Sequence, residues 1–187
     1  MGKQAIRVLF LSQRNAARSV MAEAIANAVG KGHLEAFSAG VHPARHVDPL
    51  AVELLDNAGI DVPPHPPRHV REFNAFDAPQ LDFVLTLSDR AAGEPLPRWP
   101  GHPITAHWRS VDPERFETDS EKRLSLLRTR AELERRLREF VRLPWYGSIA
   151  RACRRALPLW AAPLIEPALG GTMSRAALNA ASRHWRR

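Results

Sequence analysis

Val8-Leu9-Phe10-Leu11-Ser12-Gln13-Arg14-Asn15-Ala16-Ala17-Arg18-Ser19-Val20-Met21-Ala22-Glu23-Ala24 is the stretch that decides the fold. Four apolar residues lead into a polar loop, and the loop leads into a run of helix formers. A short apolar run of this kind reads as a strand buried on both faces. A tight turn between such a strand and a helix directs successive backbone N–H groups inward, and the helix N-terminus adds partial positive charge. Arg18 ends the loop with a planar fork that can hold two oxygens of one anion. Ser12–Arg18 is therefore a candidate cradle for a tetrahedral oxyanion.

Each loop residue has a specific expectation. Ser12 occupies the position of a nucleophile, or is a small polar residue that keeps the loop's shape. Asn15 tolerates the left-handed conformation that a nest of N–H groups requires, or is a surface turn residue. Ala16 and Ala17 are small enough to let the backbone approach a ligand. Ser19 either bonds to position 12 or caps the helix. Arg14 adds positive charge at the rim or in solvent. Gln13 completes the candidate set.

Outward from the loop, strands and helices alternate. Ile6–Leu11 reads as a strand and Ser19–Val29 as a helix closed by Gly30 and Gly32. Leu34–Ser38 is a second strand. Asp48 and Pro49 form an N-cap and first helical residue, opening a helix that carries Leu50, Leu54, Leu55 and Ala58 and stops at Gly59. Pro63–Pro67 is a stiff loop. Val70–Phe76 is a short helix. Asp82–Leu87 and Ile104–Trp108 are further strands. Ser88 reads as a helix cap. Thr118-Asp119-Ser120-Glu121 fits a capping box opening a long helix to about Arg142. Alternating elements predict a parallel sheet covered on both faces, with ligands at the carboxyl ends of its strands.

The loop resembles the signature of the low-molecular-weight protein tyrosine phosphatases, and in particular of their thioredoxin-coupled arsenate reductase relatives. That signature is Cys, five residues, Arg, Ser, then Met-Ala-Glu-Ala. Further matches follow in the family's order: Phe37-Ser38-Ala39-Gly40, Asp48–Val52 leading to Ala58–Asp61, Asp82–Asp89, and His107-Trp108 with Asp112-Pro113. The resemblance spans roughly residues 5–142. It implies a three-layer α/β fold with a four-stranded parallel sheet of flavodoxin-like topology and the first strand central. It also implies a phosphate loop at Ser12–Arg18 and a general acid at Asp112, although Asp-Pro commonly starts turns as well.

The departures bear on the chemistry. Ser12 stands where the family has its nucleophilic Cys. Ser88 and Pro95 stand where the reductases carry further cysteines, and Cys153 is the only Cys in the chain. A thiol has a pKa of about 8.5, which a cation and a helix N-terminus lower by several units. An alcohol starts far higher and needs a neighbouring general base. Arsenate reduction also needs thiol electrons. The expectation is a relative that binds phosphate, arsenate or a phosphoryl group with little or no catalysis. The alternatives are an active phosphatase or arsenate reductase, with Ser12 itself reacting or substituted for Cys to trap a ligand, and a scaffold acting through its tail. Ser12, Arg18 and Asp112 are the candidate catalytic residues.

Composition bounds the rest. The chain has 187 residues, an apolar content of 44% and a net charge of +7. Residues 1–143 hold 20 Lys and Arg against 19 Asp and Glu, while residues 144–187 hold 7 Arg and only Glu166. The expected division is thus a domain over 1–143 and a basic extension over 144–187. In the extension, Trp145, Trp160 and Trp185 interleave with Arg, a mix that suits an anionic membrane surface or an acidic partner, and less readily a nucleic acid. An extra helix packed on the domain with a basic outer face, or partial disorder, is the plainer reading. No apolar run reaches the ~20 residues of a membrane span. The start of the chain lacks the apolar stretch of a secretory signal, so a cytoplasmic location is the default, with peripheral membrane contact through the tail as a variant. His42, His46, His65, His69, His102 and His107 show no ligand spacing, so neither a metal nor a cofactor is expected.

Overall fold

The computed structural model describes residues 5–142, and the basic extension over 144–187 lies outside the described residues. Four strands, β1 (Ile6–Ser12), β2 (Leu34–Gly40), β3 (Phe83–Thr86) and β4 (Ile104–His107), form one sheet in the order β2-β1-β3-β4. Every pairing is parallel, and β1 lies inside the sheet. Parallel neighbours need crossovers. Helices α1 (Arg18–Val29), α2 (Pro49–Asp56), α3 (Asp89–Gly93) and α4 (Asp119–Arg142) lie in those connections and after β4.

Alternation along β1 divides the core in two. Val8 and Phe10 join Met21 and Ile25 of α1, Leu54 and Leu55 of α2, and Leu126, Leu133 and Leu137 of α4. Leu9 and Leu11 face the opposite way, onto Val70, Phe73, Leu81 and Val84. Each fully buried Leu, Ile or Phe contributes about 1.5–3 kcal/mol. Trp108 closes the first core edge-on against Phe140, with ring centroids 5.9 Å apart. Arg123 donates to both carboxylate oxygens of Glu53 at 2.7 Å, tying α4 to α2 at the surface.

Several boundaries differ from the sequence reading, each for a local reason. Strand β2 runs to Gly40 because Ser12 and Gly40 still pair across the sheet. Helix α2 stops at Asp56, and the chain turns through Gly59 at φ +65°. Val70–Asn74 is a 3-10 turn rather than an α-helix to Phe76. Its buried Val70 and Phe73 are three apart, the repeat of that tighter helix, and Phe76 is left exposed. Ser88 caps α3, its Oγ accepting from the Ala91 N–H at 3.3 Å. The Thr118–Glu121 capping box is present: the Glu121 N–H donates to Thr118 Oγ1 at 3.3 Å, and the Thr118 N–H donates to Glu121 at 3.4 Å.

Candidate functional site

The loop after β1 has its peptide groups sorted by direction. The carbonyls of Gln13, Arg14 and Ala16 accept from the N–H groups of His42, Ala44 and Asp48, each at 2.8 Å. The Ser12 carbonyl accepts from Val41 at 3.2 Å. In a trans peptide the next N–H points opposite to the carbonyl. The amides of Gln13, Arg14, Asn15 and Ala17 therefore face away from the 41–48 segment. Space for this turn exists because residue 40 has no side chain: a Cβ there would lie 2.9 Å from the Asn15 nitrogen.

Asn15 is the pin of the loop. It sits at φ +47° with no solvent exposure. Its Nδ2 donates to Ser19 Oγ at 2.9 Å and Ser38 Oγ at 2.8 Å, and its Oδ1 accepts from the Arg68 N–H at 2.7 Å. Ser38 Oγ in turn donates to Glu23 at 2.6 Å, and Glu23 is held by His65 at 2.9 Å and Arg68 at 3.2 Å. A buried carboxylate is tolerable when charges and donors meet it in this way. Asn15→Ala strips three hydrogen bonds at once, two of them fully buried. It is expected to destabilise the fold by about 2–4 kcal/mol in urea unfolding; a loss under about 0.5 kcal/mol would show that the loop is held by other means.

Ser12 is 3% exposed. Its Oγ lies 2.8 Å from Ser19 Oγ and accepts from the Asn15 N–H at 3.1 Å. Ser19 is the second residue of α1, and the N-cap position is Ala17, which makes no side-chain cap. Of the two readings of Ser19, bonding to position 12 is therefore the one observed. Asn15 and Ser19 stand behind the cradle and do not line its cavity.

Ser12, Gln13, Arg14, Ala16, Ala17 and Arg18 line the cavity from the loop side. Asp48, Arg90, Asp112, Pro113 and Glu114 form the rest of the wall. Arg18 is 6% exposed; its Nη1 donates to the Ser110 carbonyl at 3.3 Å, and its Nη2 lies 3.2 Å from Asp112. Burial pulls the Arg18 pKa down, and Asp112, Glu114 and Asp89 oppose that effect. A guanidinium stays protonated under such opposing influences, so the floor of the pocket carries one fixed positive charge. Asp112 caps the short turn Pro113–Arg115, accepting from the Glu114 N–H at 3.2 Å. Arg14 pairs with Glu114 across the mouth, so its charge is at the rim.

The sequence reading missed Asp48, Arg90 and Glu114 as pocket residues. Asp48 was legible only as an N-cap, which it also is, accepting from the Leu50 N–H at 2.9 Å. Arg90 and Glu114 belong to short elements with no periodic signal.

A loop whose carbonyls are tied to the 41–48 segment thus follows an inner strand of a parallel α/β sheet and ends at a buried arginine. The family model for Low molecular weight phosphotyrosine protein phosphatase matches residues 7–152, and the chain belongs to this family. Arsenate reductase of Bacillus subtilis is 33% identical over 137 residues, covering 71% of this chain and 93% of the relative. Among solved structures, an arsenate reductase of Archaeoglobus fulgidus is 32% identical with a TM-score of 0.56, covering 72% of this chain and 98% of that one. Another, an arsenate reductase in the phosphate binding state, is 28% identical with a TM-score of 0.58, covering 73% of this chain and 96% of that one. No helix among the described residues is long and apolar enough to cross a membrane.

Proposed function

We propose that this family member binds a tetrahedral oxyanion in the Ser12–Arg18 loop and performs little or no covalent chemistry on it. The observation that carries the reading is the environment of Ser12 Oγ. Its hydrogen-bond partners are the Ser19 hydroxyl at 2.8 Å and the Asn15 N–H at 3.1 Å. Neither is a base, and both favour charge on an atom that already carries it rather than removing a proton. The same surroundings suit a thiolate, which the family signature places here, because a thiol needs far less help to ionise. An alcohol in the same field stays neutral at pH 7. What supports binding is the set of loop carbonyls turned toward the 41–48 segment, the buried Arg18 and the helix N-terminus that follows the loop. The arsenate reductase in the phosphate binding state supports phosphate as a ligand of this fold.

A second reading, an active phosphatase or arsenate reductase, is favoured by one observation: Asp112 lies in the pocket wall beside Arg18, at 3.2 Å, where an acid could protonate a leaving oxygen. The reading through a basic tail on a membrane or acidic partner concerns residues outside those described. Calorimetric titration with inorganic phosphate tests the main proposal. Ser12→Ala is expected to bind phosphate within about fivefold of the wild type, with no p-nitrophenyl phosphate turnover in either. Loss of binding in Ser12→Ala, or turnover that depends on Ser12, would overturn it.

A further inference from the structure

Helix α4 has two unlike faces. Leu126, Leu133, Leu137 and Phe140 are buried in the core. On the opposite side, Leu124, Arg128, Ala131, Arg135, Arg138 and Arg142 are all exposed. Their spacing, in steps of three and four residues, puts them in one line along the helix. The line is about 27 Å long at the α-helical rise. It carries arginines and no acid. Arg138 and Arg142 reach sideways to Glu134 and Glu139, whereas Arg128 and Arg135 make no ion pair among the described residues. Exposed pairs of this kind are weak and exchange readily for another anion. Leu124, 49% exposed, adds apolar surface at the start of the line. A face that serves only solubility mixes charges of both signs; this one has a single sign.

The sequence after α4 continues the same character. Residues 144–187 hold 7 Arg, no Lys and only Glu166. Arg155 and Arg175 bound a stretch in which Glu166 is the only charge and Leu157, Leu159, Trp160, Leu164 and Ile165 are large and apolar. A nucleic acid could use the arginines, but it offers little to that uncharged stretch. An anionic lipid surface takes both: Arg reaches lipid phosphates, while Trp and aliphatic side chains enter the boundary between head groups and acyl chains. Helix α4 also leads the chain away from the oxyanion pocket. Thr129 meets Ser110, whose carbonyl holds Arg18, whereas Phe140 packs edge-on against Phe83 at the amino end of β3. No residue of α4 is among the described lining residues of the pocket. We propose that the outer face of α4 and residues 144–187 together form a docking surface for a membrane rich in anionic lipids. The surface is independent of what the pocket binds.

The test is co-sedimentation of the full chain, at physiological ionic strength, with vesicles of phosphatidylcholine alone and of phosphatidylcholine and phosphatidylglycerol in equal parts. Binding to the anionic vesicles is expected to be at least about 10-fold tighter than to the neutral ones. Arg128→Gln combined with Arg135→Gln is expected to weaken it by about 10-fold or more, since each cation at such a surface contributes about fivefold. Trp160→Ala is expected to weaken it by about threefold or more, through lost interfacial contact. Thermal unfolding and phosphate affinity of the double variant are expected to match the wild type, which separates docking from folding and from the pocket. No binding to either vesicle, equal binding to both, or anionic binding unchanged by the α4 pair or by Trp160→Ala would overturn the proposal. Tighter binding to duplex DNA than to anionic vesicles, compared at equal phosphate concentration, would also overturn it, in favour of a nucleic acid.

Discussion

Ser12→Cys is expected to change this protein from a binder into a catalyst. The partners of position 12 are a hydroxyl at 2.8 Å and an amide N–H at 3.1 Å, with Arg18 buried in the same pocket. All of them favour an anion there, so the introduced thiol should ionise below about pH 7, against about 8.5 for a free thiol. Alkylation by iodoacetamide across pH reads this directly, with the site located by mass spectrometry because Cys153 is also present. Turnover follows from the same change. The introduced thiolate attacks phosphorus, the ester bond breaks, and Asp112 passes a proton to the departing oxygen; water then releases phosphate from sulfur. Hydrolysis of p-nitrophenyl phosphate should rise at least about 100-fold over the wild type. An introduced thiol that titrates like a free one and turns over nothing would mean that the cradle is a relic.

Arg18→Ala is expected to weaken inorganic phosphate binding by at least about 100-fold, the scale of losing a desolvated bidentate ion pair. The side chain is 6% exposed and holds two further groups, the Ser110 carbonyl at 3.3 Å and Asp112 at 3.2 Å. Its removal therefore takes away the attractive charge and leaves Asp112 unpaired beside the ligand. Arg18→Lys should recover little, because an ammonium cannot span two oxygens and a carbonyl in one plane. Thermal unfolding of both variants separates this loss from unfolding. Phosphate affinity unchanged in Arg18→Ala would place the anion elsewhere.

The fold was legible wherever one local rule decided an element. Val8–Leu11 alternates between two cores and so reads as a continuous apolar run, and Phe83–Leu85 does the same. The Asp48 and Ser88 caps and the Thr118–Glu121 box are hydrogen bonds made within three residues, so their residue types announce them. Elements without such a rule were not. Asp89–Gly93 is too short to show a period, and Val70–Asn74 has one buried pair, which fits either helix type. The other half of the pocket is assembled from residues far apart in sequence: Arg14 meets Glu114, and Arg18 meets Asp112, only because β3 and β4 bring the 112–114 turn beside β1. The network beneath the loop is equally non-local. Glu23 reads as one more polar residue of α1, and its burial with Ser38, His65 and Arg68 depends on the β2 end and the 65–68 segment meeting behind the cradle.

The central claim, that the loop from Ser12 to Arg18 grips a tetrahedral oxyanion, is tested most directly by following the backbone amide resonances of the wild-type protein during titration with inorganic phosphate. The sorted carbonyls predict saturable shifts concentrated at Gln13, Arg14 and Ala17, whose N–H groups face away from the 41–48 segment. Absence of any shift in these amides at saturating phosphate would contradict the account.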